Sequence, residues 1–223
     1  LGGYPCELDK IKNFCKRKKI YLIEDCSQAH GAFYKKKSVG SFGDISTWSF
    51  CQDKILTTGG EGGMITTTRA DLAEKMSRVV NHGRNNMLES VELGTNLRMS
   101  EVSAAIGRVQ LKHLEHWTKQ RQENSKSINH KTKLRENAEH AWHQLCVLAE
   151  NPTELIAKFN SAGIDARVHY PKPCNKHGVY ANHYQHSENL PVCEDVSSRL
   201  VAIPVHPSLS PKDINRINSV LNP

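Results

Sequence analysis

Lys54 stands four residues after the run Ile45-Ser46-Thr47-Trp48-Ser49-Phe50 and shortly before two glycine pairs, Gly59-Gly60 and Gly62-Gly63. A lysine this close to a core strand must keep its ammonium in water, pair it, or give up its charge, because burying it bare is expensive. The last course makes the amine a nucleophile toward carbonyl carbon. Asp25 closes a second apolar run, Ile20-Tyr21-Leu22-Ile23, and in open α/β sheets ligands gather at the carboxyl ends of strands. Ser49 adds a hydroxyl, and the glycine pairs permit the bends that let a backbone pass close to a bound molecule. Taken singly these features are commonplace, since a lysine after a strand is usually a surface residue and an aspartate at a strand end a turn acid. Together they supply what pyridoxal 5′-phosphate demands: an amine for the imine, a carboxylate facing the pyridine nitrogen, and donors for the phosphate.

The elements that must position these groups follow from the apolar spacing. Residues 5–18 place Leu8, Ile11, Phe14 and Cys15 at helical intervals, with a buried strand after them. The stretch 31–44 reads as a turn-rich hairpin, 45–50 and 62–68 as strands, and Asp71 to Val80 as a helix with Leu72, Met76, Val79 and Val80 inward. From Ser100, an N-cap, one long helix is expected to near Leu134, carrying Val102, Ala105, Ile106, Val109, Leu114 and Trp117 on one stripe. Beyond Asn137 the pattern predicts a strand near His143–Leu148, a helix over Pro152–Ala162, a loop rich in His and Asn, a helix near Asp195–Val201 and a last one from Pro211. The expected organisation is an α/β region over 1–99, a linking helix over 100–136 and a small α+β domain over 137–223.

Composition bounds the function. The 223 residues carry a formal charge of +7, but the basic residues are dispersed, which argues against nucleic acid and agrees with an anionic small substrate. Seven cysteines, never spaced C-x-x-C, read as reduced thiols rather than a disulfide framework or zinc knuckle. His177, His183 and His186, or His113 and His116, match no familiar metal spacing. No apolar run is long enough to span a membrane, so the expected setting is the cytoplasm. The chain opens at Leu1 and enters a helical pattern within a few residues, which suggests a piece of something longer.

The ordered motifs EDCSQAHGA, VGSFGD, WSFCQDK, TTGGEGG, LGTNLRMSEVSAAIGRVQL and ARVHYPKP resemble those of the DegT/StrS sugar-nucleotide aminotransferases, and the likeness runs from Leu1 to Pro223. The resemblance implies the later portion of an aspartate-aminotransferase-like, fold type I large domain with a mainly parallel sheet, a long linking helix and a small α+β domain. It implies that Lys54 binds pyridoxal 5′-phosphate covalently and shuttles protons, that Asp25 faces the pyridine nitrogen, that Gln28 packs by the ring, and that Ser49 holds the phosphate. Asn96, in Gly94-Thr95-Asn96-Leu97-Arg98, matches an asparagine that reaches the phosphate from a second subunit, so a homodimer with shared sites is implied. Arg98 beside it reads as structural, and His30 carries no assigned role. His169 and Tyr170 fall where the family brings its small domain toward substrate, although they also read as turn residues beside prolines.

The implied reaction moves an amino group from an amino acid, typically glutamate, to a keto sugar linked to a nucleotide, for amino-sugar or surface polysaccharide synthesis, lipopolysaccharide included. Relatives with histidine at the position of Lys54 run dehydrations, so the lysine favours transamination. The sequence departs from the family in lacking the front segment that carries a phosphate-gripping loop and a ring-stacking aromatic residue, and in a short linker over 130–143. A truncated, inactive or regulatory homologue of the same fold is the alternative.

Overall fold

The computed structural model describes residues 1–181 and 189–222, which divide into two compact units. The first comprises Leu1–Gln122 with Leu134–His143, the second Glu123–Lys133 with Gln144–Pro223.

In the first unit, α1 (Leu8–Lys18) leads into β1 (Ile23–Asp25), and β2 (Phe33–Tyr34) with β3 (Lys37–Ser38) makes the expected hairpin. β4 (Ile45–Ser49) lies parallel to β1, and β5 (Gly63–Thr66) is antiparallel to β4, giving a mixed sheet in the order β1-β4-β5. The helix α2 (Ala70–Val79) follows. Leu8, Cys26, Ala32, Tyr34, Val39, Ile55 and Ala141 form the core, with Phe42, Trp48 and Leu114 packed against it. Cys15 is buried as its spacing predicts, whereas Ile11 and Phe14 on the same helix are exposed.

One carboxylate organises this unit. Glu24 is buried on β1 and accepts the backbone N–H groups of Gly40, Phe42 and Gly43 at 2.7, 2.7 and 2.6 Å. It thereby satisfies donors of the loop before β4 that would otherwise be costly to bury. Gly40 has no alternative there: its φ is +80°, and a Cβ would stand 2.3 Å from Cζ2 of Trp48.

Two sequence expectations need correction here. The region 100–136 is not one linking helix but α3 (Glu101–Leu111) and α4 (Leu114–Ser127), and helix ends well before 136. No proline or glycine marks the break; instead Lys112 and His113 donate to Val109 and Gln110, three residues back, tightening the chain into a turn before Leu114 packs on the core. Ser100 caps α3 as predicted, its Oγ accepting from the N–H of Ser103 at 3.1 Å. The stripe on α3 is nevertheless outward, with Val102, Ile106 and Val109 all exposed among the described residues. Second, the small domain does not begin at 137. β6 (Ala138–Glu139) pairs with β2, and the segment to His143 belongs to the first unit. Two paired residues are too short a pattern to read from sequence.

In the second unit β7 (Leu145–Leu148) and β8 (Arg167–Val168) both pair antiparallel with β9 (Leu200–Ile203), giving the order β7-β9-β8. Between these strands lie α5 (Pro152–Ser161), the short α6 (Gly178–Ala181) and α7 (Pro191–Arg199), and α8 (Pro211–Leu221) closes the unit. Asn151 caps α5, and Ser210 with Asp213 forms a capping box on α8. α5 packs against α8 and β9, where Phe159, Ile217 and Val201 are buried. The expected helix over 195–201 ends at Arg199 because the apolar run 200–203 enters the sheet instead.

Candidate active site

β1 and β4 run in parallel with Asp25 opposite Thr47, so their carboxyl ends, Asp25 and Ser49, lie along one sheet edge. The chain beyond β4 is closed into a loop by three backbone bonds: Phe50 to Gly62, Thr58 to Phe50, and Lys54 to Cys51, at 2.7, 3.1 and 3.0 Å. Within it Ile55 and Leu56 are buried, which fixes Lys54 immediately ahead of them. Gly62 is required by the chain itself, since a Cβ there would stand 2.4 Å from Oγ1 of Thr58. Gly60, by contrast, has open space around it.

The Lys54 side chain is 14% exposed, and its Nζ lies 3.0 Å from Oδ1 of Asp53. Burial pushes the Asp53 carboxyl up, but the hydrogen bond and charge of Lys54 outweigh it, and the net shift is down. Asp25 is held ionised: its Oδ1 accepts from the Ser27 hydroxyl at 2.5 Å and the Ser27 N–H at 3.0 Å, and the charge of Lys54 adds a smaller pull in the same direction. Gln28 accepts the N–H of Gly2 at 2.5 Å. Ser49 Oγ accepts only a long bond, 3.4 Å, from the N–H of Cys51, which leaves its hydroxyl proton available to a ligand.

His30 is buried between the rings of Trp48 and Phe50, at centroid distances of 5.3 and 5.8 Å. His143, on the segment that returns to the first unit, is also buried. Burial, with the charge of Lys54 second, pushes each of these imidazoles down to about 4. Both ring nitrogens of His143 lack a hydrogen-bond partner among the described residues, whereas the backbone of Ser49 pulls the other way on His30, against its burial. A buried imidazole with no partner, as His143 is, is a group that a polar occupant would satisfy.

The remaining predicted site residues have partners of their own. Asn96 is exposed on the segment after α2, bridged to Asn81, and its Oδ1 accepts from the N–H and Nε of Arg98 at 3.3 and 3.1 Å. His169 and Tyr170 belong to the second unit, where Nε2 of His169 meets Nε2 of Gln144 at 2.7 Å and the two rings lie 3.9 Å apart. His183 and His186 fall outside the described residues, and among those described no group of three or more His, Cys, Asp or Glu is placed to hold a metal ion. No helix among them is long and apolar enough to cross a membrane. Sequence reasoning missed Glu24 as an organiser, Asp53 as the lysine's partner, and His143; a lone histidine between Trp142 and Gln144 carries no motif that would have singled it out.

A cavity of about 970 Å³ opens beside His30, lined largely by apolar side chains such as Trp48, Phe50, Met64, Leu111 and Leu114. Lys54 does not line it. Tested against the needs of pyridoxal 5′-phosphate, the residues fit at the reacting end and the ring nitrogen, through Lys54 and Asp25. At the phosphate end this chain offers the Ser49 hydroxyl.

The DegT/DnrJ/EryC1/StrS aminotransferase family model matches residues 1–222. The chain is 31% identical over its whole length to a dTDP-3-amino-3,6-dideoxy-alpha-D-galactopyranose transaminase of Aneurinibacillus thermoaerophilus, of which it spans 63%. It is 32% identical to the GDP-perosamine synthase of Escherichia coli O157:H7, again spanning 63% of that protein. Among solved structures, a DegT DnrJ EryC1 StrS aminotransferase from Brucella abortus superposes with a TM-score of 0.91 at 30% identity, covering 99% of this chain and 61% of the other. S. venezuelae DesV, solved in complex with a ketimine intermediate, does so with a TM-score of 0.93 at 28% identity, covering 99% and 62%.

Proposed function

Because the chain belongs to the DegT/DnrJ/EryC1/StrS aminotransferase family, we propose that its protein is a pyridoxal 5′-phosphate-dependent aminotransferase that moves an amino group from an amino acid, glutamate in the first instance, to a keto sugar carried on a nucleotide. The chain spans about three fifths of the relatives it matches. Several of those relatives are named as transaminases or synthases of dTDP-, UDP- or GDP-linked amino sugars. The product would serve amino-sugar or surface polysaccharide synthesis, in the cytoplasm.

The observation that carries the reading is Lys54, a shielded amine set just beyond the adjoining carboxyl ends of β1 and β4, with an ionised aspartate within the reach of its charge. When bound, the cofactor supplies an electron sink that labilises the α-hydrogen of the donor. Asp25 would hold the ring nitrogen protonated, Gln28 would pack by the ring, and Ser49 would donate to the phosphate. Lys54 would first leave Asp53; its Nζ would then take the proton from the donor's α-carbon and return it two bonds away, a 1,3-shift, which needs an amine rather than an ammonium. Asn96 would complete the phosphate site from a second copy of the chain, and His169 with Tyr170 would meet the substrate.

The test is borohydride reduction of the full-length protein saturated with pyridoxal 5′-phosphate, followed by peptide mapping. The reduced adduct is expected on Lys54, together with a visible absorption band that Lys54→Ala abolishes. Recovery of unmodified Lys54 from the saturated, reduced protein rejects the function.

A further inference from the structure

Asp53 and Lys54 are neighbours in sequence, and on a strand they would point to opposite faces. They meet because the chain turns there: the N–H of Lys54 donates to the Cys51 carbonyl at 3.0 Å, which places Gln52 and Asp53 at the corner. Both arms of this turn are held. On one side the N–H of Phe50 donates to Gly62 and its carbonyl accepts from Thr58, at 2.7 and 3.1 Å, while the Cys51 thiol donates to Oε1 of Glu61 at 3.2 Å. On the other side Ile55 and Leu56 are buried.

The ion pair that results differs from its counterparts in the shielding of its cation. Lys10, Lys35, Lys158 and Lys176, the other lysines in ion pairs among the described residues, have side chains 44–72% exposed, against 14% for Lys54. Two long exposed side chains lose most of an ion pair's strength to water, salt and freedom of motion. Here the lysine stem is shielded, and the carboxylate, 57% exposed, is the member open to solvent. Asp25, the other carboxylate of the site, is engaged elsewhere: its Oδ1 accepts from the hydroxyl and N–H of Ser27 at 2.5 and 3.0 Å. The ε-nitrogen therefore rests 3.0 Å from Oδ1 of Asp53, and it must leave that oxygen before it can attack a carbonyl carbon.

We propose that Asp53 is a positioning residue for Lys54, the counter-ion on which the ε-nitrogen rests in the cofactor-free protein and which slows its attack on an arriving aldehyde. The inference rests on Lys54 being the reacting amine. Because the carboxylate belongs to the adjoining residue, rotation of side chains alone releases the lysine, and the hydrogen bonds that hold the turn stay in place.

The experiment uses cofactor-free full-length protein and acetic anhydride, an uncharged probe. The labelling rate at Lys54 is measured by peptide mass spectrometry relative to that of the exposed Lys12. Asp53→Asn, which keeps the side chain's shape and removes its charge, is expected to raise this relative rate about threefold, the scale of a partly exposed ion pair. Added sodium chloride, to about 1 M, where the screening length falls to about 3 Å, is expected to raise the wild-type rate and leave that of Asp53→Asn unchanged. A relative rate in folded Asp53→Asn protein no faster than wild type overturns the proposal. So does a faster rate in the variant joined to a wild type that salt does not move, because that pattern reports a loosened loop rather than a lost charge. Should the variant fail to fold, the salt series on wild-type protein decides alone, and a flat response overturns the proposal. If borohydride leaves Lys54 unmodified while labelling shows the restraint, the functional reading falls and the ion pair stands; the reverse result keeps the functional reading and removes the role of Asp53.

Discussion

Two buried histidines that feel the charge of Lys54 link the site to the stability of the molecule. Each imidazole is pushed from its ordinary 6.5 down to about 4, first by burial and then by the lysine. The unfolded chain therefore takes up protons at these positions as pH falls below 6.5, while the folded chain resists until about 4. Stability is full above pH 7 and is lost on acidification through that window, by roughly 2 kcal/mol per histidine at pH 5. Urea unfolding at pH 7 and pH 5 should show this loss, and the double variant His30→Gln, His143→Gln should flatten it. A wild-type unfolding free energy that does not fall between these pH values would contradict the burial of neutral rings. At this scale the motif residues were legible, because Asp25, Ser49 and Lys54 are each placed by chain close to them in sequence. His143 was not, since its meaning depends on a return of the chain across more than eighty residues from Lys54.

Among the elements, β1 is only three residues long and still carries both the organising Glu24 and the candidate site residue Asp25. Glu24 points into the core and accepts three loop N–H groups, while Asp25, facing the other way by the two-residue alternation of a strand, is exposed at the sheet edge. Replacing Glu24 with glutamine keeps the volume but loses the charge and one acceptor, at a cost of about 2 kcal/mol; alanine leaves buried donors unpaired and should cost about 4 kcal/mol. Both are measurable by denaturant unfolding, and the loss should be accompanied by weaker retention of cofactor, since the end of β1 also places Asp25. Wild-type stability in Glu24→Ala would show that the loop finds other partners. The sequence expected this strand over the apolar run 20–23, whereas it runs from Ile23 to Asp25 and leaves Ile20, Tyr21 and Ile23 exposed. It misjudged α3 and α4, because an apolar stripe runs unbroken through the turn at Lys112–His113, and periodicity does not register where a helix is interrupted without a breaker.

For the molecule as a whole, the reading of Asn96 makes the active site a property of two chains. Its side chain is engaged with Arg98 on an exposed segment, whereas the proposed phosphate donor Ser49 stands at the end of β4. If sites are shared, Lys54→Ala and Asn96→Ala proteins, each inactive, should complement when unfolded and refolded together. Half of the dimers would be mixed, each with one of two sites intact, so about a quarter of wild-type activity is expected. Absence of any recovery, with mixed dimers demonstrated by mass, would place the whole site within one chain.

The sequence by itself determined the family, the helix and strand character of most segments, and the lysine, aspartate and serine at the strand ends. These rest on local spacing, on residue chemistry and on motif order, all of which survive in one dimension. The tertiary structure alone decided that Glu24 is a keystone for a loop sixteen to nineteen residues away, that 138–143 returns to the first unit, and that a second buried imidazole feels the charge of Lys54. Burial and electrostatic shifts are sums over neighbours in space, and a chain read along its length carries no record of which distant residues those neighbours will be.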